Sequence, residues 1–499
     1  MSSLTDYGPP AGKDLSRLED ERLPFQGGQY KPLTDDEAGR IHDGALRILE
    51  SSGVKVFTKT GREHFKRAGA DVDEETCVVR IPRAMTEDAI ASAPRRVVLC
   101  GRDPAHDAVL EGSNVYLGTG GTAINVLDLE TGDRRPSTNE DTRLVAKLID
   151  ALDNIHVFTI NVYPNEIKNV DHVDPNRFYS ALTNTTKHVM GGIYTLNGMR
   201  DVVEMASLIA GGIDQLRERP FVSFITLMIS PLKIDDHYGE MTCYAAEQGL
   251  PVVVPTEPLC GTTSPVTLAA NVVMHCAESL AGVVMTQLVR PGCPVLFGSV
   301  GSANDMRTLE HVSGAIERGM INAAVSQMAQ RYELPYYSTA GMSDSKVVDC
   351  QAGYEGGMMN LLVAMSGANY IHDAAGLMEF DLTVSYEKLV IDDEIIGMCL
   401  RVLRGIEVTD ETLALDLIEE VGPGGDFLGQ AHTVAHMRSE FFEPTVGDRQ
   451  PRAQWAAAGS LDAQQRAHQR VREILDEHEP QGIPADIDEK IRERFPHIR

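Results

Sequence analysis

Apolar residues follow two rhythms along this chain. Near the N-terminus, LTDDEAGRIHDGALRILESSG sets Ile41, Ala45, Ile48 and Leu49 three and four residues apart, the spacing of a one-faced helix. Thr34 and Glu37 stand at capping-box separation, and Gly53 supplies a stop. VKVF and CVVRIP then alternate with the period of two that marks strands, and MTEDAIASAP reads as a short helix. These elements predict a small α+β domain over residues 31–112. Before it, residues 1–30 are polar and rich in Gly and Pro, an arm suited to lie over another subunit.

From Val115 the rhythm changes. Short apolar runs recur, namely VYLGTGG, VFTINVYP, HVMGGIY, FVSFITLMISP, PVVVPTEP, PVLFGSV, PYYSTAG and NYIHDAAG. Helical segments such as NEDTRLVAKLIDALDN and MRDVVEMASLIAGG lie between them, the first with Ser137 and Glu140 at capping-box spacing. Runs apolar on both faces, alternating with helices eight times over, predict an α/β fold: a parallel (β/α)8 TIM barrel. An open doubly wound sheet shares the alternation, but no GxGxxG follows the first run, and GTGGT alone is a weak glycine signal. The barrel is expected over residues 113–420. A C-terminal extension over 421–499, with a helix from about Leu461 capped by Ser460, is expected to pack on it.

Charge narrows the choice of partner. With 73 acidic against 45 basic residues, the net charge of -28 disfavours nucleic acid and anionic membrane surfaces. Eight cysteines without a CxxC pair read as reduced thiols packed as small hydrophobes in a cytoplasmic protein. VTLAANVVMHCAESLAGVVMTQLV is the longest apolar run, yet His275 and Glu278 in its middle favour a buried helix over a membrane span.

A TIM barrel carries its chemistry at the C-terminal ends of its strands. Those positions hold Tyr116, Asn125, Asn161, Tyr163, Tyr194, Ser230, Thr256, Glu257, Ser299, Tyr336, Tyr337, Ser338, His372 and Asp373, with Asp344 in the loop after the seventh strand. The substrate-binding candidates are Tyr116, Asn125, Tyr163, Tyr194, Glu257, Tyr336, Tyr337, Asp344 and His372. Aromatics and carboxylates dominate and basic residues are nearly absent, which suits a cationic ligand held by ring faces and a carboxylate. The competing reading is structural: tyrosines packed between strand ends and helices, Glu257 paired with an Arg or Lys, and Asp344 capping the next helix. His432 and His436 have i, i+4 spacing, but HTVAH lacks the glutamate of HExxH, so packing is the better reading and no metal site is expected. No GxSxG elbow occurs, and no catalytic residue is assigned.

Several long, co-linear stretches, spanning Leu33 to about Pro480, resemble the trimethylamine methyltransferase family. They are TGDRRPSTNED, ITLMISPL, GTTSPVTLAANVVMHCAESLAGVVMTQLVRPGCPVLFG, AGMSDSKVVDCQAGYEGG and VGPGGDFLGQAHTVAHMRSEFFEPTVGDRQPRAQW. The resemblance implies a (β/α)8 enzyme that moves a methyl group from an amine to the cobalt of a corrinoid (cobalamin) held by a separate small protein. This chain has no DxHxxG cobalamin signature, so a cognate corrinoid protein is implied. The best-known members carry pyrrolysine, whereas this chain contains only standard residues and so resembles the branch that demethylates quaternary amines such as glycine betaine. Methyl transfer to a folate-type acceptor, and a catalytically silent betaine-binding protein, are the alternatives. A homo-oligomer is expected.

Overall fold

In a computed structural model that describes residues 24–499, eight parallel strands close into a ring. They are β1 (Asn114–Thr119), β2 (Val157–Thr159), β3 (His188–Gly192), β4 (Val222–Ile225), β5 (Val252–Val254), β6 (Val295–Gly298), β7 (Tyr336–Thr339) and β8 (Tyr370–Ala375). Each falls within one of the eight apolar runs, except that β1 starts one residue earlier at Asn114. Pairing of Tyr370 with Tyr116 and of Ile371 with Leu117 joins β8 to β1, so the sheet is a barrel and not the open alternative. Most of the expected arm, through residue 23, lies outside the described residues.

One long helix follows each strand: α1 (Asn139–Asp150), α2 (Val173–Leu182), α3 (Leu196–Ala210), α4 (Asp236–Gln248), α5 (Leu268–Val289), α6 (Ile316–Tyr332), α7 (Cys350–Ser366) and α8 (Tyr386–Arg404). The capping box of α1 uses Thr138 and Asp141, one residue later than the Ser137 and Glu140 expected. Ser137 is buried instead, its hydroxyl donating to Tyr163 O at 2.6 Å. The apolar run around His275 is α5, buried against strands and neighbouring helices. Its Glu278 accepts from Ser230 Oγ (2.6 Å), Leu232 N–H (2.7 Å) and Thr256 Oγ1, so a charge within an apolar run serves as a loop anchor.

The N-terminal segment contributes a capped helix (Asp35–Ser51, with Thr34 and Glu37 forming the expected box) and a sheet in which Lys233–Ile234 joins Val54–Val56. Its side chains share one apolar core with the barrel helices. A hairpin of Val97–Leu99 and Ala108–Leu110 plugs the N-terminal end of the barrel. Val97, Leu99, Ala108 and Leu110 pack there against Tyr116, Val157, Met190, Val253, Leu296, Tyr337 and Tyr370 from the barrel interior. This end is sealed and dry.

At the other end of the chain, Gly422 (φ 64°) and Gly424 (φ 85°) turn the backbone where a side chain would be strained. The segment then returns to α8, where Arg401 Nε donates to Glu440 O at 2.9 Å. The last long helices are Ala463–Glu477, capped by Asp462 and not by Ser460, and Ala485–Arg494. Six of the eight cysteines are buried; Cys77 is half-buried and Cys350 is exposed, against the expectation of uniformly packed thiols.

Candidate active site

Strand alternation decides which residues face the barrel's interior. Val157 packs in the inner core, Thr159 Oγ1 meets Tyr370 Oη at 2.7 Å, while Phe158, Ile160 and Val162 pack outward. Asn161 and Tyr163 therefore continue the inward row of β2. The same parity places Tyr194 beyond β3, Ile225 on β4 and Leu227 just past it, Glu257 beyond β5, Val300 beyond β6 and His372 on β8. Gly192, Ile225, Leu227, Glu257 and Val300 are half-buried although they stand on central strands or just past them, which marks an open cup above the sealed floor.

Of the nine sequence candidates, Tyr163, Tyr194, Glu257 and His372 line this cup, and Tyr337 forms its lower wall. Tyr163 and Tyr194 meet edge to face with centroids 5.2 Å apart, and His372 stacks on Tyr337 at 4.6 Å. The other four lie elsewhere. Tyr116 packs on the floor hairpin, because a residue early in its strand points into the plugged end. Tyr336 faces outward, its hydroxyl donating to Asn322 O at 3.1 Å on α6. Asn125 sits in a small accessory sheet, where its amide donates to Leu382 O at 3.1 Å. Asp344 spends both carboxylate oxygens on the N–H groups of Ser313 (2.7 Å) and Gly314 (3.1 Å), tying two rim loops together. Tyr336 packs against a helix as the structural reading has it, whereas α7 is capped by Asp349 and not by Asp344.

The expectation of few basic residues fails in an instructive way. Two buried arginines reach the strand ends from helices. Arg318 on α6 pairs with Asp381 at 3.1 Å. Arg177 on α2 contacts Asp174 Oδ1 (3.3 Å) and lies 5.2 Å from the centroid of the Tyr194 ring. Both were invisible to a reading confined to strand ends. Their only sequence mark is a charge inside a helix otherwise suited to burial, as in VDPNRFYSAL.

Glu257 is the carboxylate that this arrangement leaves least satisfied. Burial pushes its carboxyl above the ordinary glutamate range, partly countered by Arg318, His311 and a hydrogen bond with Ser302. Among the described residues it has no direct ion pair, because Arg318 is committed to Asp381. Asp381 moves the other way: burial would raise it, but Arg318 and His311 outweigh burial and hold it below the usual carboxylate range. Asp373 shares the field of Arg318. Arg318 thus faces the carboxyl groups of Glu257, Asp373 and Asp381, and His372 Nε2 lies 2.9 Å from Asp373 Oδ1, so carboxyl groups outnumber guanidinium on the β5–β8 side of the cup.

The backbone is strained at the same place. Asp373 has φ 63° at an irregularity in β8, and Glu379, Phe380 and Asp381 are three consecutive left-handed residues. Such conformations cost about 1–3 kcal/mol each in non-glycine residues and collect at functional sites. Here they aim Asp381 at Arg318, and Asp373 Oδ2 accepts from Thr339 Oγ1 at 2.6 Å. Gly120 makes the arrangement possible, since a Cβ there would lie 2.0 Å from His372 Cδ2.

No three His, Cys, Asp or Glu side chains are grouped to hold a metal among the described residues. The His432 and His436 rings lie tilted with centroids 4.4 Å apart on the short helix Ala431–His436, and His436 lies 3.4 Å from Glu411.

A model of the trimethylamine methyltransferase family matches residues 15–496. The chain belongs to this family. It is a methyltransferase, 38% identical over 463 residues to trimethylamine methyltransferase MttB of Desulfitobacterium hafniense, with 92% of each chain covered. It is 35% identical over 468 residues to the glycine betaine methyltransferase of the same species, covering 93% of this chain and 96% of that one. MttB of Methanosarcina barkeri is 35% identical over 471 residues. The crystal structure of the Methanosarcina barkeri monomethylamine methyltransferase has the same fold, with a TM-score of 0.55 over 94% of this chain and 92% of that one, at 12% identity.

Proposed function

We propose that this methyltransferase removes an N-methyl group from a betaine-type quaternary amine and passes it to the Co(I) of a corrinoid on a separate protein. The observation that carries the reading is the cup itself: aromatic and aliphatic walls with an under-paired carboxylate, Glu257, on a side rich in carboxyl groups. Ring faces and a desolvated carboxylate favour a trimethylammonium group by about 2 kcal/mol or more. A quaternary nitrogen already bears the charge that lets a neutral tertiary amine leave with the electron pair of the broken N–C bond. The protein then supplies alignment and a dry wall, with no proton to move. A chain built only of standard residues fits this substrate class.

The corrinoid supplies the two-electron nucleophile when its carrier docks. The rim suits such docking: Ile124, Val266, Met306, Leu309, Val347 and Leu382 are exposed, and all stand on loops at the open end. A second apolar surface lies away from the mouth, where Ile406, Leu428 and Phe441 are exposed and the helix Leu415–Val421 buries no residue. A transient partner would not cover that segment between turnovers. A second copy of the chain fits, and sedimentation would show it.

Incubation with glycine betaine, the corrinoid protein and a reductant should methylate the corrinoid, read from its visible spectrum. Binding without methylation of any corrinoid carrier, across a panel of quaternary amines, would overturn the proposal in favour of a silent binding protein.

A further inference from the structure

The cup has a second side whose polar groups the ammonium does not use. Asn161 is fully buried, and its backbone carbonyl accepts from Ala123 N–H at 2.9 Å. Neither atom of its side-chain amide has a hydrogen-bond partner among the described residues. Leaving a buried polar group unpaired costs stability, so such a group calls for a role. Its inward position, one step above Thr159 on the row from Val157, aims it into the cup.

Arg177 bonds to the carbonyl of the residue before Asn161, Ile160. Its guanidinium donates to Ile160 O (3.3 Å), Gly192 O (3.3 Å) and Thr122 Oγ1 (3.5 Å), all long contacts, and its Nε is buried without a partner. Asp174 balances it at 3.3 Å but gives its other oxygen to Tyr194 N–H at 2.7 Å. The β1–β3 side therefore offers an unpaired amide and a guanidinium whose charge Asp174 balances. The β5–β8 side, across the cup, offers Glu257, Asp373 and Asp381.

We propose that Asn161, backed by Arg177, forms the subsite for the anionic tail of a zwitterionic substrate, and so sets specificity at the end opposite Glu257. This rests on the quaternary-amine reading above. The Asn161 amide N–H donates to a carboxylate oxygen of the substrate, the Arg177–Asp174 pair holds that side of the cup in place, and the trimethylammonium group turns toward Glu257. No bond is made or broken in this recognition, so it acts on affinity and orientation alone.

Titration calorimetry on the full chain separates the two ends. Glycine betaine probes both, and tetramethylammonium, which has no carboxylate, probes only the ammonium side. Asn161→Leu should weaken glycine betaine about tenfold or more while changing tetramethylammonium less than about twofold. Asn161→Asp, which places a negative charge beside the tail, should weaken glycine betaine further still. Thermal melts followed by circular dichroism establish folding, and Asn161→Thr replaces the leucine variant should that one fail to fold. Equal losses for both ligands, or no loss for either, would overturn the assignment. Wild-type protein that binds tetramethylammonium but not glycine betaine would overturn it too, leaving the ammonium reading intact. Wild-type protein that binds neither ligand defeats the quaternary-amine reading, and the subsite with it.

Discussion

The two ends of this barrel are built from the same strands and obey opposite rules. At the floor, the hairpin of residues 97–110 fills the interior with Val97, Leu99 and Leu110, all buried and apolar. At the mouth, buried and half-buried carboxyl groups outnumber their arginine, backbone is held left-handed at Asp373 and Asp381, and an asparagine amide is unpaired. The floor gains from every contact it makes. The mouth carries costs that the fold itself does not offset, as the proposed binding site would. Stability and function are thus separated along one axis, as the fold allows.

Removing a side chain from the floor should produce the largest effect on folding. Leu110→Ala leaves a cavity and should lower stability by about 2–5 kcal/mol, seen as an earlier urea midpoint, with ligand affinity of the folded protein unchanged. A comparable loss of affinity would show that the two ends are not independent.

Glu257→Gln should do the reverse. Losing a charge-assisted contact of about 1.5–3 kcal/mol predicts a fall in quaternary-amine affinity of about tenfold to a hundredfold. Stability should rise. The sign follows from the raised carboxyl: the folded state binds the Glu257 proton more tightly than the unfolded chain, so ionisation costs stability as pH rises through that window. The gain from Gln should therefore appear at neutral pH and vanish below about pH 4, where both states are protonated.

The same group sets a pH dependence of binding. Affinity for an ammonium should drop about tenfold per pH unit once Glu257 protonates, beginning above the ordinary glutamate value near 4.3, and the Gln variant should show no such slope. Calorimetry across pH 4–8 reads both.

The smallest effect is expected at the rim. Leu309→Ser removes an exposed apolar side chain and should change stability by less than about 0.5 kcal/mol. It should raise the KM for the corrinoid protein a few-fold and leave that for the amine alone.

The chain's periodicity made the barrel readable, since a strand buried on both faces and a capped amphipathic helix each leave a local pattern. The site was only half readable, for a geometric reason. Tyr336 and Tyr337 are neighbours in one apolar run, and only the register of β7 turns the first outward to Asn322 and the second inward to His372. Tyr116 and Tyr163 differ in depth by where their strands begin, which composition does not encode. Arg177 and Arg318 enter from helices, and Asp381 from a strained loop, so the charge pattern of the cup exists only after packing. Asn161 stood at a strand end in the sequence, but its unpaired amide is a property of the fold.

Charge recognition at the mouth is tested most directly by a pair of isosteres. Glycine betaine and 3,3-dimethylbutyrate have nearly the same shape and the same carboxylate, and differ in a positive nitrogen against a neutral carbon. Wild-type protein should bind glycine betaine at least about tenfold more tightly, and Glu257→Gln should close most of that gap. Equal binding of the two by wild-type protein would contradict a cup built to hold a cation.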